Sequence, residues 1–478
     1  MTSTQPRARA AVALLLAVAL AVAGCGPRPT PAPSVSATGF QPGGAGIGDA
    51  YFPTYGNGGY DVLHYDLKVK YDPATDRLDG RAALRATATA DLSAFNLDLA
   101  GLDVRSVIVS GAKADFRRDG AELVVPVPPG LARGTEFTVD VAYDGIPAPL
   151  RNETLGEGGF LHTADGAIAL GQPESASTWF PVNDHPRDKA TYAYEITVPD
   201  GLVALSNGVP QGTTTVNGWT TWKWAERTPM ASYLSTLVIG EYEVTRAEHR
   251  GRPVVTAVPR ELVGTDADRA MASTTKVADF LETVFGPYPV ESYGGIVITD
   301  PRIGYALETQ SRPVYSAGFF ADGDTSVVAH EIAHQWFGNS VALARWQDIW
   351  LNEGLATYAE WLWTEESGGR TAAATFADQY ARSPAEIWRT PPGDPGAADL
   401  FSGSVYQRGG MTVHALRVTI GDDAFFRTLK TWLAEKRDGN ATTEEFVATA
   451  ERVSGVALDD LFDTWLYGTA QPDLPQPR

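Results

Sequence analysis

The stretch HEIAHQWFGN occupies residues 330–339, and WLNEGLA follows at residues 350–356. The first stretch contains the spacing His-Glu-x-x-His, which on a helix places His330 and His334 one turn apart on the same face. Two imidazoles in this arrangement can bind one zinc ion, and Glu331 between them can act as a general base. The pattern therefore predicts a helix that carries a zinc site.

A third zinc ligand is expected further along the chain, because a catalytic zinc site takes three protein ligands and keeps one position open for water. Glu353 is the candidate, since eighteen residues separate it from His334, enough for a loop and the start of a second helix. Each histidine taken alone is more often a core or surface residue without metal. The combination of His330, His334 and Glu353 on helix-compatible flanks instead predicts a zinc-dependent hydrolase.

Length and composition limit the classes of protein that this chain can belong to. A chain of 478 residues is long enough for two or three domains. A hydrophobic content of 44% with 20% charged residues is typical of a globular protein with a substantial core. The net charge of −20 argues against a nucleic-acid partner, which needs a basic surface. Solubility outside the cell explains this charge more simply than recruitment of basic substrates.

The N-terminus has the features of an export signal. Two arginines, Arg7 and Arg9, precede an apolar run at residues 10–22, which is too short to span a bilayer comfortably. Cys25, the single cysteine of the chain, follows small residues. The segment resembles a bacterial lipoprotein signal, so we expect residues 1–24 to be removed. An ordinary signal peptide with a chance cysteine, or an uncleaved anchor, is the alternative.

This resemblance predicts where the protein is located. The sulfur of Cys25 would carry a lipid, and no intramolecular disulfide is possible with one cysteine. The mature protein would then be extracytoplasmic and anchored to the bacterial cell membrane by its N-terminal lipid. Residues 25–50 are rich in Pro, Gly, Ser and Thr, and their composition predicts a flexible tether between this anchor and the folded part.

Residues 51–246 are predicted to form a β-rich domain that is mostly antiparallel. In YDVLHYDLKVKYD, residues 60–72, apolar and polar side chains alternate, as expected for a strand with one buried face. The run TTTVNGWTTWKW has Asn217 and Gly218 between two β-rich stretches, which predicts a hairpin. Several other runs alternate in the same way.

Residues 247–478 are predicted to form an α-rich domain with a small sheet. Helical spacing predicts a helix over residues 265–285, ended by Gly-Pro, and Thr442 with Glu445 has the spacing of a capping box. Further helices are predicted at residues 326–337, 352–363, 405–420 and 422–436, with a last one in LDDLFDTWLYG.

The zinc motif belongs to a longer pattern. HEIAHQWFGNSV followed by DIWLNEGLATYAEWL resembles the aminopeptidase N family, the gluzincin zinc aminopeptidases, and the resemblance extends from about residue 58 onward. It implies an α+β fold with two domains: a saddle-like N-terminal antiparallel β-sheet domain and a thermolysin-like α-rich catalytic domain. It also implies one zinc ion bound by His330, His334 and Glu353, with Glu331 as the general base and peptides as substrates.

The resemblance also implies a catalytic tyrosine. Family members have a Tyr-x-Lys-Gly pattern whose tyrosine stabilises the oxyanion. This chain has VYQRG at residues 405–409, so Tyr406 matches the tyrosine and Arg408 replaces the lysine. A tyrosine at a helix start would ordinarily be structural, but the order and spacing of the motifs assign the role to Tyr406.

In this family, two glutamates bind the free amine of the substrate. One lies in a Gly-Ala-Met-Glu-Asn strand, which aligns with YALET at residues 305–309 and implies Glu308. The other lies in a Thr-Gln-x-Glu run, which aligns with GQPE at residues 171–174 and implies Glu174. The alternatives are a polar edge-strand residue for Glu308 and a loop carboxylate for Glu174. A buried ammonium requires such carboxylates.

Several points stay open at the level of sequence. Either Asp348 or Glu360 is a candidate to orient a zinc-binding histidine. The run LFDTWLYGTAQPDLP resembles the end of the catalytic domain, and family members commonly continue with a large helical domain. We therefore expect a short form of the family with a more open site.

The function that these residues imply is zinc-dependent hydrolysis of peptide bonds, most simply the removal of N-terminal residues from peptides outside the cell. One alternative is a zinc metallopeptidase without strict aminopeptidase specificity. Others are a non-catalytic peptide-binding surface lipoprotein and an amide hydrolase that acts on cell-wall peptides.

Overall fold

The computed structural model describes residues 39–152 and 156–476. The predicted signal peptide, the lipidation candidate Cys25 and the first part of the predicted tether lie outside these ranges. Among the helices within them, none is long and apolar enough to cross a membrane.

The first part of the described chain consists almost entirely of strands. They are β1 (Gln41–Pro42), β2 (Tyr60–Asp72), β3 (Arg77–Ala88), β4 (Leu92–Asp98), β5 (Asp103–Val109), β6 (Ala112–Ala114), β7 (Arg117–Asp119), β8 (Glu122–Leu131), β9 (Glu136–Gly145), β10 (Pro149–Asn152), β11 (Gly156–His162), β12 (Ala167–Leu170), β13 (Lys189–Pro199), β14 (Val203–Leu205), β15 (Val209–Val216), β16 (Trp219–Ala231) and β17 (Leu237–Gly240).

The second part combines a small sheet with helices. Its strands are β18 (Tyr242–His249), β19 (Arg252–Pro259), β20 (Tyr293–Ile298), β21 (Ala306–Leu307), β22 (Val314–Ser316), β23 (Ala342–Leu343) and β24 (Asn440–Ala441). Its α-helices are α1 (Asp266–Ala272), α2 (Thr274–Phe285), α3 (Ser326–Ala333), α4 (Trp350–Glu366), α5 (Ala372–Arg382), α6 (Ala385–Arg389), α7 (Gly409–Ile420), α8 (Asp422–Glu435), α9 (Thr443–Ser454) and α10 (Asp459–Phe462).

An eight-stranded sheet in the order β15-β16-β13-β2-β3-β9-β5-β6 forms the body of the β-rich domain. Its strands are antiparallel except for the pair of β13 and β2. The alternation that predicts β2 is confirmed, because Tyr65, Leu67, Val69 and Tyr71 are all buried at 2% exposure or less. Burial of one face of a pleated strand explains why the polar residues between them face outward.

The predicted hairpin between β15 and β16 is also confirmed. The two strands pair from Val216 opposite Trp219, and the turn residues Asn217 and Gly218 have φ of 50° and 76°. Two successive positive φ values define the tight turn whose twist suits a hairpin, and Asn-Gly is the dipeptide that adopts them most readily.

A five-stranded sheet in the order β10-β11-β12-β17-β14 carries the part of the β-rich domain that faces the second domain. All four residues of β12 and of β17 are buried. The run at residues 171–174 follows β12 directly, and a short helical turn, Ser232–Leu234, precedes β17. This sheet therefore places two loops at the border between the domains.

The sheet of the second domain has the order β18-β19-β20-β22-β21. Its core is parallel, from β19 through β20 to β22, and β18 and β21 pair antiparallel at the two edges. Helices α3 and α4, which carry the zinc motif, pack against each other beside this sheet. The expectation of an α+β fold with a β-rich domain followed by an α-rich domain is confirmed.

One predicted helix is in fact two. The helical spacing predicts a single helix over residues 265–285, but the structure ends α1 at Ala272 and begins α2 at Thr274. The hydroxyl of Ser273 donates to the carbonyl of Ala270 at 2.6 Å. Serine side chains compete in this way for backbone groups, and the break falls at this residue. The capping box predicted for Thr442 and Glu445 is present at the start of α9.

Residues 40–50 belong to the folded part, although their composition places them in the predicted flexible tether. Asp49 is 3% exposed. Its carboxylate accepts the backbone N–H groups of Tyr51 at 2.8 Å, Phe52 at 3.1 Å and Trp346 at 2.9 Å, and it also pairs with His185 at 3.2 Å. Asp49 thereby attaches this segment to His185 in the β-rich domain and to Trp346 in the α-rich domain.

We expect Asp49→Ala to lower the free energy of unfolding by about 2–4 kcal/mol, because it leaves buried N–H groups without an acceptor. Despite burial, which opposes the charge, His185 and the backbone N–H groups lower the pKa of Asp49 from 3.8 to about 2. A lowered pKa in the folded state stabilises the fold above pH 4, and this contribution disappears as pH falls toward 2.

Urea denaturation of both proteins between pH 2 and pH 7 measures this difference. Asp115→Ala, at an exposed position, is the control and should change stability by less than about 0.5 kcal/mol. A pH-independent difference for Asp49→Ala would contradict the role of the charge.

Candidate metal centre

Three side chains converge at the start of α4. His330 lies in α3, His334 follows the end of that helix, and Glu353 lies in the first turn of α4. The Nε2 atoms of the two histidines lie 3.3 and 3.4 Å from the same carboxylate oxygen of Glu353. All three side chains are at least nine-tenths buried. The structure therefore brings together the three residues that the spacing predicts as zinc ligands.

The separations among these donor atoms fit a tetrahedral ion. Ligands about 2.0–2.1 Å from a zinc ion lie about 3.3 Å from one another at tetrahedral angles. The distances from each imidazole nitrogen to the Glu353 oxygen are of this size. Two imidazoles and one carboxylate are also the donor set of catalytic zinc sites that keep a position open for water.

The orientation of each imidazole is fixed from behind. The Nδ1 atom of His334 lies 2.9 Å from the carbonyl oxygen of Phe337, which can only accept, so Nδ1 donates and Nε2 is the nitrogen that faces Glu353. The Nδ1 atom of His330 contacts the carboxylate of Glu360. Such partners hold metal-binding histidines in place and raise their basicity.

Between the two acidic candidates for this role, the structure places Glu360 against a histidine and Asp348 elsewhere. Asp348 is fully buried and accepts hydrogen bonds from Arg345 at 2.7 Å and from Thr443 at 2.6 Å. It therefore joins the loop before α4 to the start of α9. Asp348 therefore helps to position α4, the helix that carries Glu353.

Opposite charges shape the acid–base properties of the metal-free centre. Burial disfavours the charge of Glu353, but His334 and His330 outweigh it and lower the pKa of this carboxyl to about 2. Burial raises the pKa of Glu331 to about 8, although the same histidines act against the rise. One oxygen of Glu331 is buried without a hydrogen-bond partner in the described part of the chain. Glu353 is thus a charged ligand and Glu331 a carboxyl suited to proton transfer.

Tyr406 lies over the centre because two helices approach very closely. Gly354 in α4 faces Gly409 at the start of α7, and a Cβ atom at Gly354 would lie 2.8 Å from the carbonyl carbon of Gly409. Only a pair of glycines permits this crossing. Gly354 follows the ligand Glu353, and Tyr406 precedes Gly409 by one turn. The Tyr406 ring lies 6.0 Å from that of His330, measured between centroids.

Tyr406 itself lies in a single π-helical turn, Ser404–Arg408. Arg408 ends this turn and is fully buried. Its guanidinium donates to four backbone carbonyls, those of Trp388, Thr464, Trp465 and Gly468, at 2.7–3.1 Å. Burial lowers the pKa of Arg408 to about 10. Five N–H groups in a planar fork satisfy this set of acceptors, which the three of a lysine would not.

Glu308 is held at the other side of the centre by residues from both domains. Tyr233 and Gln172, both from the β-rich domain, donate to its carboxylate at 2.8 and 3.2 Å. Its backbone carbonyl accepts from Gln335 at 3.3 Å and from Asn339 at 2.8 Å. These last two residues belong to HEIAHQWFGN, so the extended motif also positions the Glu308 strand. Burial raises the pKa of Glu308, while His334 lowers it.

Glu174 lies in the wall of an adjoining cavity. The cavity at the metal ligands has a volume of about 310 Å³ and is lined by Glu308, Glu331 and Tyr406. A second cavity of about 310 Å³ is lined by Glu174. Gln172 and Tyr406 line both. The structure therefore places Glu308 and Glu174 along one continuous cleft that starts at the metal ligands.

Three residues of this cleft have no marker in the sequence: Gln172, Tyr233 and Tyr55. Gln172 is a motif neighbour of Glu174, and Tyr55, which precedes β2, lines the same cavity as Glu174. Their partners are distant in sequence, since Glu308 lies 136 residues from Gln172 and 75 residues from Tyr233.

A buried His-His-Glu centre beside a catalytic-type glutamate, on an α-rich domain that follows a β-rich one, defines the class of zinc metallopeptidases called gluzincins. Residues 62–234 match the Peptidase M1 N-terminal domain, and residues 270–465 match the Peptidase family M1 domain. The chain belongs to peptidase family M1, which confirms the resemblance to the aminopeptidase N family.

Solved structures and relatives agree with this placement. An M1 zinc metallopeptidase from Deinococcus radiodurans, in a variant bound to a Tyr-Ser-Ala substrate, is 30% identical with a TM-score of 0.83, and the match covers 91% of this chain and all of that one. Glutamyl aminopeptidase from Rattus norvegicus is 25% identical over 86% of this chain and 47% of its own length. Aminopeptidase M1-B from Oryza sativa is 28% identical over 86% and 50%. The chain thus spans about half the length of these curated relatives.

We expect Glu360→Gln to weaken zinc binding by about 10- to 100-fold, because it removes the anionic partner of His330. Competition with a chromophoric chelator at fixed pH measures the zinc affinity. Glu366→Gln is the matched control, since Glu366 lies exposed in the same helix, and it should leave the affinity unchanged. Equal affinities for all three proteins would contradict the assignment of Glu360.

Proposed function

We propose that this chain is a zinc aminopeptidase that removes N-terminal residues from peptides. The observation that carries the proposal is the position of Glu308. Its carboxylate is 2% exposed, offers an oxygen within 4.8 Å of Glu331, and lines the same cavity as the zinc ligands. A buried carboxylate in a cleft requires a cationic partner, and the free α-ammonium of a peptide supplies one.

The closeness of Glu308 to His334, whose potential ligand atoms lie within 4.8 Å of each other, would direct cleavage to the first peptide bond. An α-ammonium held by Glu308 would be separated from the scissile carbonyl by a single α-carbon. Glu174 lies further along the cleft and would contact the same ammonium or the first side chain. An N-blocked substrate would leave the Glu308 carboxylate without a cationic partner, which penalises its binding.

The residues of the cleft have distinct roles in the proposed reaction. His330, His334 and Glu353 would hold the zinc ion, which would supply a Lewis acid that makes water acidic near neutral pH. Glu331 accepts the proton of the attacking water on its unpaired oxygen and passes it to the leaving amine. The hydroxyl of Tyr406 donates to the oxygen that becomes negative in the transition state.

The similarities to known proteins support the proposal in two ways. Several curated relatives carry the name aminopeptidase, among them glutamyl aminopeptidase and aminopeptidase M1. A two-domain M1 zinc metallopeptidase variant, 30% identical to this chain over 91% of its length, was solved with L-arginine bound.

We expect Glu308→Gln to reduce kcat/KM on free-amine peptides by roughly 30- to 1,000-fold, since losing one member of a buried charge pair removes about 2–4 kcal/mol. The same substitution should change the slow cleavage of N-acetylated peptides by less than about 3-fold. A matched pair of free and N-acetylated peptides with the same first side chain measures both. Equal losses on the two substrates would show that Glu308 does not bind the amine.

Glu331→Ala is the companion variant in this experiment. It should abolish turnover of both peptides while zinc stays bound, because all three ligands remain. A wild-type protein that binds peptides but does not cleave them would favour the non-catalytic alternative. A wild-type protein that cleaves N-acetylated peptides as well as free ones would favour a peptidase without strict aminopeptidase specificity, and a preference for cell-wall peptides would favour the amide hydrolase.

We also propose that the protein acts outside the cytoplasm, held to the bacterial cell membrane by a lipid on Cys25. The support is the sequence of the N-terminus: an apolar run too short to span the bilayer, followed by the single cysteine of the chain. The net charge of −20 is compatible with solubility on the outer side.

We expect Cys25→Ser to move the protein from the membrane fraction to the soluble fraction, because it removes the atom that would carry the lipid. Cell fractionation and metabolic labelling with a fatty acid measure the change. Since Cys25 lies far from the cleft in sequence, peptidase activity per molecule should stay the same. Continued membrane fractionation of Cys25→Ser would contradict lipid anchoring.

A further inference from the structure

The segment at residues 49–57, called the brace below, crosses from one domain to the other before β2 begins. At its start, Asp49 binds the backbone N–H of Trp346 in the α-rich domain. At its end, the backbone N–H of Asn57 donates to the side chain of Asn183 in the β-rich domain at 2.5 Å, and Asn183 donates back at 3.2 Å. The brace is therefore fixed at both ends.

A second contact fixes the middle of the brace. The hydroxyl of Tyr51 contacts the carboxylate of Asp394 and accepts the backbone N–H of Gly396 at 2.9 Å. Two backbone hydrogen bonds of Tyr55, both 3.1 Å long, close the turn that follows: its N–H donates to Phe52, and its carbonyl accepts from Ile47. The backbone at Tyr55 has little freedom as a result.

The side chain of Tyr55 points into the cleft. Its ring stacks on that of Phe52 with centroids 4.6 Å apart and planes 10° from parallel. The ring lines the same cavity as Glu174, Gln172 and Tyr406. Glu174 lines this cavity with it, and the Tyr55 hydroxyl and the Glu174 carboxyl each shift the pKa of the other. A segment that precedes the first long strand thus contributes a wall of the cavity next to the metal ligands.

We propose that Tyr55 is a positioning residue for peptide binding: it holds the Glu174 carboxylate toward the substrate amine and forms one wall of the site for the first side chain. The inference rests on the proposed function, because it assigns a partner to one of the two amine-binding glutamates. It adds a residue from outside both matched domains, since the brace ends before residue 62.

The charges around Glu174 explain why a hydroxyl is needed there. Burial raises the pKa of Glu174 to about 7, the charge of Asp184 adds to the rise, and the hydrogen bond from Tyr55 lowers it. Tyr55 therefore favours the charged form, which can pair with an ammonium. The other ionisable groups of this cavity wall are Arg151, Glu157, Tyr305 and Tyr406. Arg151 and Glu157 pair with each other at 2.8 Å.

The test is Tyr55→Phe, which keeps the ring against Phe52 and removes only the hydroxyl. Without its hydrogen bond, the pKa of Glu174 rises, so the acid limb of kcat/KM on a free-amine peptide should move to higher pH. At pH 6.5, which is at or below the pKa of Glu174, we expect roughly a 10-fold loss in kcat/KM, carried mainly by KM. Activity on the matched N-acetylated peptide should stay within about 3-fold.

Two further variants separate positioning from general loosening. Tyr51→Phe removes the other hydroxyl of the brace, which contacts Asp394 and not Glu174, and should leave the acid limb in place. Combining Tyr55→Phe with Glu174→Gln should add nothing to the effect of Glu174→Gln alone, because the hydroxyl acts through that carboxylate. Additive losses, an equal shift in Tyr51→Phe, or no shift in Tyr55→Phe would overturn the inference.

The wild-type protein in the same experiment separates the role of Tyr55 from the proposed function. A wild-type preference for the free-amine peptide with an unchanged Tyr55→Phe profile overturns the role of Tyr55 and leaves the proposed function standing. A wild-type protein with no preference for the free amine overturns both.

Discussion

The contact between Gly354 and Gly409 determines how the metal ligands and the tyrosine above them are arranged. A backbone-to-backbone crossing of two helices tolerates no side chain, so its distance is set by van der Waals contact between the two backbones. Glu353 precedes one glycine, and Tyr406 lies one turn before the other. The separation between Glu353 and Tyr406 therefore follows from a contact that neither residue makes.

The two domains contribute different residues to the cleft. The α-rich domain supplies the candidate metal ligands, Glu331 and Tyr406, to which we assign the chemical step. The β-rich domain supplies Gln172 and Tyr233, which donate hydrogen bonds to the carboxylate of Glu308. A substrate bound between these groups would contact both domains at once, so its position depends on their docking as much as on either fold.

The sequence predicts the parts of this structure that local chemistry specifies. The alternation in β2, the Asn217-Gly218 turn and the capping box at Thr442 depend on residues a few positions apart, and all three are present. The zinc ligands are equally accessible to prediction, since the spacing of His330 and His334 on one helix face fixes the first two. Glu353 adds the third through the resemblance of its surroundings.

The remaining features depend on contacts between distant parts of the chain. The break falls at Ser273, whose hydroxyl donates to a carbonyl of the preceding turn. The inclusion of residues 40–50 in the fold depends on long-range contacts, among them the acceptance by Asp49 of an N–H group almost three hundred residues away. Tyr55 and Tyr233 are ordinary apolar-pattern residues in their own segments, and only the docking of the domains gives them a place in the cleft.

Lys189 links the two domains through hydrogen bonds. It begins β13 in the β-rich domain, and its ammonium donates to the carbonyls of Asn339 and Ser340, immediately after the zinc motif, at 2.8 Å each. Burial lowers the pKa of this ammonium to about 7, so the lysine is tolerated only where those carbonyls receive it. The domains are consequently not interchangeable modules. Consider a chimaera that joins this catalytic half to the β-rich half of another protein. The carbonyls of Asn339 and Ser340 would find a donor there only if a side chain of the same length and charge occupied the position of Lys189.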